Sequence, residues 1–114
     1  MDGPQIDRTT LSVLDVLLDG FERNIDVHGW LIMKAVGRSG PAVYRSLDRL
    51  EEWGWVESRW ETLAPGEDRP RKRYYRIVAD RVEAARSRVR AQSRPTASRL
   101  RPRFGLMTRR LAER

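Results

Sequence analysis

Side chains that could hold a phosphate or a base edge fall into two clusters. Arg45 and Arg49 stand one helical turn apart in the segment 40–54, which sets two guanidinium groups on one side of a helix. A guanidinium can bond a guanine edge through two hydrogen bonds or grip a phosphate. Arg69, Arg71, Lys72 and Arg73 form the second cluster, and Pro70 within it favours an extended, projecting backbone. Such a loop can reach a minor groove or its phosphates. Ser39 and Tyr44 can donate to phosphate, Lys34 is set for a backbone contact, and Ala42 is small enough to let the helix start approach a groove. Plainer roles stand beside each of these. Arg45 and Arg49 can pair with Asp48 or Glu52, Ser39 can serve only as a cap, Tyr44 can pack against the preceding helix, Lys34 can be solvated, and a basic hairpin can simply aid solubility.

The charge distribution favours the first set of roles. Net charge is +7, yet the first 63 residues hold 7 basic and 11 acidic side chains. Residues 69–90 hold 9 basic and 2 acidic, and residues 93–114 add 7 arginines against Glu113. A chain polarised in this way suits a polyanion approached from one side.

Catalysis finds little support. There is no cysteine, and His28 is the single histidine, which reads best as a structural residue at a helix start. Ser12, Ser39, Ser46 and Ser58 have no evident base partner. The run Gly37-Arg38-Ser39-Gly40 lacks the Lys-Ser/Thr pair of a phosphate loop. No spacing suggests a metal site, so neither metal nor cofactor is expected. The absence of cysteine fits a reducing compartment. No early apolar run marks a secretory signal, and the most apolar segment, Leu11 to Leu18, is broken by Ser12 and Asp15, too short and polar to span a bilayer.

The elements that must position these groups follow from periodicity. Leu11, Leu14, Leu17, Leu18 and Phe21 predict a first helix over about 10–22, capped by Thr9 or Thr10. Asp26 is the expected cap of a second helix carrying Trp30, Leu31, Met33, Lys34 and Val36 and ending at Gly37. After the turn Arg38-Ser39-Gly40, a third helix over about 41–53 buries Val43, Leu47 and Leu50 and turns Ala42, Arg45, Arg49 and Glu52 outward. Gly54 suits the left-handed position after it. Strands over 55–63 and 71–78 follow, with Ala64-Pro65-Gly66 in the turn. Asp80 is the expected cap of a fourth helix to about 92, whose seam is Val78, Val82, Ala85 and Val89. Pro95 ends it, and the Arg-rich segment 93–114, read as a short helix or a partly disordered tail, repeats the spacing at Leu100, Phe104, Met107 and Leu111. Trp30, Trp53, Trp55 and Trp60 read first as core, with one or two available to a flat ligand or a dimer contact.

The predicted fold class is α+β, mostly α: a winged helix-turn-helix over 8–78 with a two-stranded wing, then a C-terminal dimerisation helix over 79–92. Leu11, Leu14, Val82, Ala85 and Val89, with the four apolar tail residues, are the expected dimer contacts, since Val13 and Val16 give the first helix more than one apolar face.

In these motifs the chain resembles the PadR family of bacterial transcriptional regulators. The family's His-Gly-aromatic step stands as His28-Gly29-Trp30. Its Tyr and Leu-x-x-Leu-Glu-x-x-Gly pattern stands as Tyr44, Leu47, Leu50-Glu51 and Gly54. Its basic wing with paired tyrosines stands as Arg69-Pro70-Arg71-Lys72-Arg73-Tyr74-Tyr75. The match covers roughly residues 10–90. The resemblance implies a non-enzymatic homodimeric repressor, bacterial, cytoplasmic and associated with the nucleoid, on an inverted-repeat duplex operator. Family members dimerise through C-terminal helices, and some bind aromatic or drug-like ligands near that interface, so a small aromatic effector is among the implied partners. A winged helix used to bind an acidic protein, or a nonspecific architectural DNA-binding protein, are the competing classes.

Overall fold

The structure, a computed structural model, describes residues 5–92. Helix α1 spans Arg8–Glu22, and strand β1, Val27–His28, leads into α2, Gly29–Val36. Helix α3 spans Gly40–Glu52, strands β2 and β3 span Val56–Trp60 and Arg73–Ile77, and α4 spans Val82–Gln92. The wing is antiparallel, in the register Val56↔Ile77 to Trp60↔Arg73. It gains a third strand, because β1 pairs with β3 through Val27↔Tyr75 and His28↔Tyr74, giving the order β1-β3-β2. The two residues of β1 are too few to show a period of two in the sequence.

Helix α1 is the centre of the domain. Every residue from Thr10 to Gly20 is buried, because α4, α3, α2 and β3 all pack around it. Asp7, not Thr9 or Thr10, caps it: the Asp7 carboxylate accepts from the Thr10 backbone N–H at 2.8 Å. The Thr10 hydroxyl is instead buried and donates to Ser46 Oγ at 2.9 Å, tying α1 to α3. Both long helices end in the same reciprocal pattern. Asn24 N–H bonds the Phe21 carbonyl and Ile25 N–H the Gly20 carbonyl, while Gly54 N–H bonds Glu51 and Trp55 N–H bonds Leu50. The left-handed residues at these ends are Asn24, at φ 58°, and Gly54, at φ 80°.

Several expectations need correction. Asp26 does not cap α2; His28 holds that position without a side-chain bond, and Asp26 accepts from Arg59 and Arg76 of the wing at 2.9 and 2.7 Å. Asp80 does not cap α4, since a 3-10 turn at Ala79–Arg81 precedes the helix and contains it. Trp55 is buried and Trp53 partly so, but Trp30 and Trp60 are 54% and 55% exposed and lie outside the core. The dimer stripe also differs from expectation. Leu11, Leu14, Val82, Ala85 and Val89 are all buried inside one protomer, because α4 folds back on α1. A helix buried on every side is here a central helix, with no face to spare. Leu100, Phe104, Met107 and Leu111 lie outside the described residues.

Candidate nucleic-acid interface

Helix α3 presents its outer face by burying the other. Val43, Leu47 and Leu50 are wholly inside, and Ser46 is held by Thr10. Ser39 caps the helix, its Oγ accepting from the Ala42 N–H at 3.3 Å, and Pro41 occupies the first turn, where a missing N–H costs nothing. Pro41, Tyr44, Arg45, Asp48 and Glu52 are then exposed, while Ala42 and Arg49 are half-covered. Arg45 has no ion pair among the described residues. Arg49 donates to Asp7 at 3.3 Å. The Thr10 backbone N–H, and secondarily the Arg49 guanidinium, hold the Asp7 carboxyl below its usual range, against the opposing effect of burial.

Tyr44 leans over the start of α2. A Cβ on Gly29 would come within 2.7 Å of the Tyr44 ring, so the bare backbone of Gly29 is what lets α2 and α3 approach there. His28 stacks on Trp30, with ring centres 6.3 Å apart, and meets Tyr74 edge-on at 5.8 Å. Burial, with the nearby Lys72 charge, pushes the His28 imidazole below its ordinary value, Glu61 acting weakly the other way.

The wing cations divide into two kinds. Arg73 is a strut: it donates to Ser58 Oγ at 2.9 Å and Glu51 Oε1 at 3.3 Å, Ser58 donates to Glu51 at 2.7 Å, and the guanidinium lies over the Trp60 ring at 5.3 Å. This network joins the wing to α3. Arg69 closes the hairpin by a two-pronged pair with Glu61 at 2.8 and 2.7 Å. The Arg69 bonds and the Lys72 backbone N–H pull the Glu61 carboxyl down to about 2, and Glu61 raises the Arg69 pKa in turn. Arg71 and Lys72 are exposed, and their side chains have no ion pair among the described residues. Lys34 sits 4.7 Å above the Trp30 ring.

The expected site residues thus assort by place. Tyr44, Arg71, Lys72 and Arg73 line one cleft of about 700 Å³ between α2, α3 and the wing. Ala42, Arg45 and Arg49 line a smaller hollow, of about 230 Å³, beside α1. Ser39 and Lys34 flank the helix pair, and Arg69 is turned into the hairpin. Sequence reasoning reads Trp30 and Trp60 first as core and leaves one or two of the four tryptophans available to a flat ligand or a dimer contact without saying which; the structure places these two as cleft walls. The signal was present for Trp30, which shares an α2 face with Lys34 opposite the buried Leu31, Ile32 and Ala35. Trp60 could not be placed so, because strand alternation puts it with buried Val56; it is exposed because β2 runs past the edge of the core.

No family model matches the chain, and no curated protein matches it. Solved structures do. The circadian clock associated protein Pex from Anabaena aligns at TM-score 0.60 and 19% identity, over 84% of this chain and 86% of its own. A PadR family transcription regulator from Clostridium difficile aligns at TM-score 0.50 and 19% identity, over 75% and 95%. A mutant of Lactococcus lactis ZitR aligns at TM-score 0.57 and 15% identity, over 99% and 75%. The chain therefore has the winged-helix fold of these three proteins, one of which is a PadR family transcription regulator.

Proposed function

We propose that this protein is a PadR-type transcriptional regulator that binds duplex DNA in the bacterial cytoplasm, most simply as a repressor. The observation that carries the reading is the pairing of an exposed α3 face with two exposed wing cations, Arg71 and Lys72, whose side chains form no ion pair among the described residues and line the same cleft as Tyr44. In this reading α3 enters the major groove with Arg45 toward a base edge, and the wing neutralises adjacent phosphates. Asp48 and Glu52 share the exposed face of α3 and repel phosphate, which keeps that helix face toward the bases, where carboxylates can accept from cytosine. Selection of duplexes from a random pool by the purified protein tests the reading. A shared motif supports it; salt-dependent binding without any motif means a nonspecific architectural protein instead. Replacing both Arg71 and Lys72 with Ala is expected to weaken binding to all sequences and to flatten the salt slope by up to about two units. An unchanged slope removes the wing from the phosphates.

A two-fold dimer on an inverted repeat, with half-sites about one helical turn apart, belongs to the same proposal. Since α1 and α4 are consumed within the protomer, we assign the dimer contact to the tail, where Leu100, Phe104, Met107 and Leu111 keep the spacing of an apolar stripe. The full chain is expected to sediment as a dimer at micromolar concentration and a chain ending at Gln92 as a folded monomer. A monomeric full chain sinks the dimer, and a shortened chain that still dimerises acquits the tail.

A further inference from the structure

Trp30, Tyr44 and Trp60 are the large apolar side chains left exposed among the described residues, and all three line the cleft between α2, α3 and the wing. Exposed aromatics gathered in one concavity mark an interaction site rather than scattered surface. The rim of this cleft is cationic, formed by Arg71 and Lys72. Arg73 backs the Trp60 ring at 5.3 Å and is itself anchored to Glu51 and Ser58, so the platform is held in place from behind. Asp48 on the opposite wall offers a carboxylate acceptor. A flat π-system, an amino group and a phosphate are the three features such a surface matches.

A paired duplex offers phosphates and, at its groove edges, amino groups, but no free π-face, because its bases are stacked on one another. We propose that the cleft is a nucleotide site: it stacks one unpaired nucleobase on the tryptophan walls, accepts its amino group at Asp48 and holds its phosphate on Arg71 and Lys72. The nucleotide is either free or part of a single strand, and this goes beyond the duplex-binding reading without depending on it. A bound nucleotide occupies the wing cations that duplex phosphates would need, so the two ligands compete.

The indole N–H signals of the four tryptophans test this in the full-length protein by two-dimensional NMR, assigned with Trp30→Phe and Trp60→Phe. Deoxyadenosine monophosphate at millimolar concentration is expected to shift Trp30 and Trp60 saturably and to leave buried Trp55 in place. Trp60→Ala, an exposed position whose folding is checked by circular dichroism, should weaken the monophosphate about tenfold. Replacing both Arg71 and Lys72 with Ala should reduce its affinity to that of deoxyadenosine. A short single-stranded oligodeoxyadenylate that binds over tenfold tighter than the monophosphate identifies a strand as the source; equal affinity identifies the free nucleotide. No saturable shift, or the same shifts from inorganic phosphate alone, overturns the site. Neither result bears on duplex selection, so failure here and failure of the regulator reading are separately visible.

Discussion

Leu47→Ala is expected to lower the free energy of unfolding by about 2–5 kcal/mol, the largest stability effect we foresee for a single change in α3. Leu47 is wholly buried beside Val43 and Leu50 on the inner face of that helix, and α3 packs on α1, α2 and β2. Removing three carbons there forfeits their transfer from water and leaves a void that packed neighbours on three sides cannot close. A domain of this size holds only about 5–15 kcal/mol in all, so the thermal midpoint should fall by at least about 10 °C. Because the same side chain seats the outward residues Tyr44 and Arg45, DNA affinity should fall further than the folded fraction alone explains. Thr62→Ala, at an exposed wing position, is the control and should stay within about 0.5 kcal/mol. Urea unfolding of both variants checks this, and a Leu47 loss below about 1 kcal/mol would show that α3 is held chiefly by its other contacts.

Arg45→Ala is expected to cost roughly 1–3 kcal/mol on the preferred duplex and to relax preference at one base pair, with much less effect on random DNA. Arg45 is exposed and has no ion pair among the described residues, so its guanidinium is available in full. Arg49→Ala should cost less, because that side chain is shared with Asp7, and exposed pairs of this kind are worth little in themselves. Competition binding against duplexes altered one base pair at a time measures both variants. Equal loss on specific and random DNA would demote Arg45 to a backbone contact.

The helices were legible because their signals are local. Leu11 through Leu18, the Val43-Leu47-Leu50 stripe, Ser39 and Pro41 at a helix start, and Gly54 at its end each act within one or two turns of chain. The predicted α3 bounds differ from the observed Gly40–Glu52 by a single residue at each end, and the wing pairs as two antiparallel strands joined by the long turn. Cap identity was less legible. Asp7, Thr9 and Thr10 are all competent acceptors, and the choice fell to Asp7 because Ser46, 36 residues away, claims the Thr10 hydroxyl.

Residue types and spacing by themselves determined the winged arrangement, the inner face of α3 and the concentration of positive charge in the wing, since each follows from periodicity, turn chemistry or a count along the chain. Only the tertiary structure decided which cations remain available. Arg69 and Arg73 look equivalent to Arg71 and Lys72 in the sequence, yet Glu61 and Glu51 form close ion pairs with the first two side chains, while Lys72 meets Glu61 only through its backbone N–H at 3.1 Å. It also decided that the apolar surplus of α1 closes on α4 inside one protomer, and that Trp30 and Trp60 stand in the open. Such outcomes depend on which residues meet across long sequence separations, and neither propensity nor period encodes that meeting.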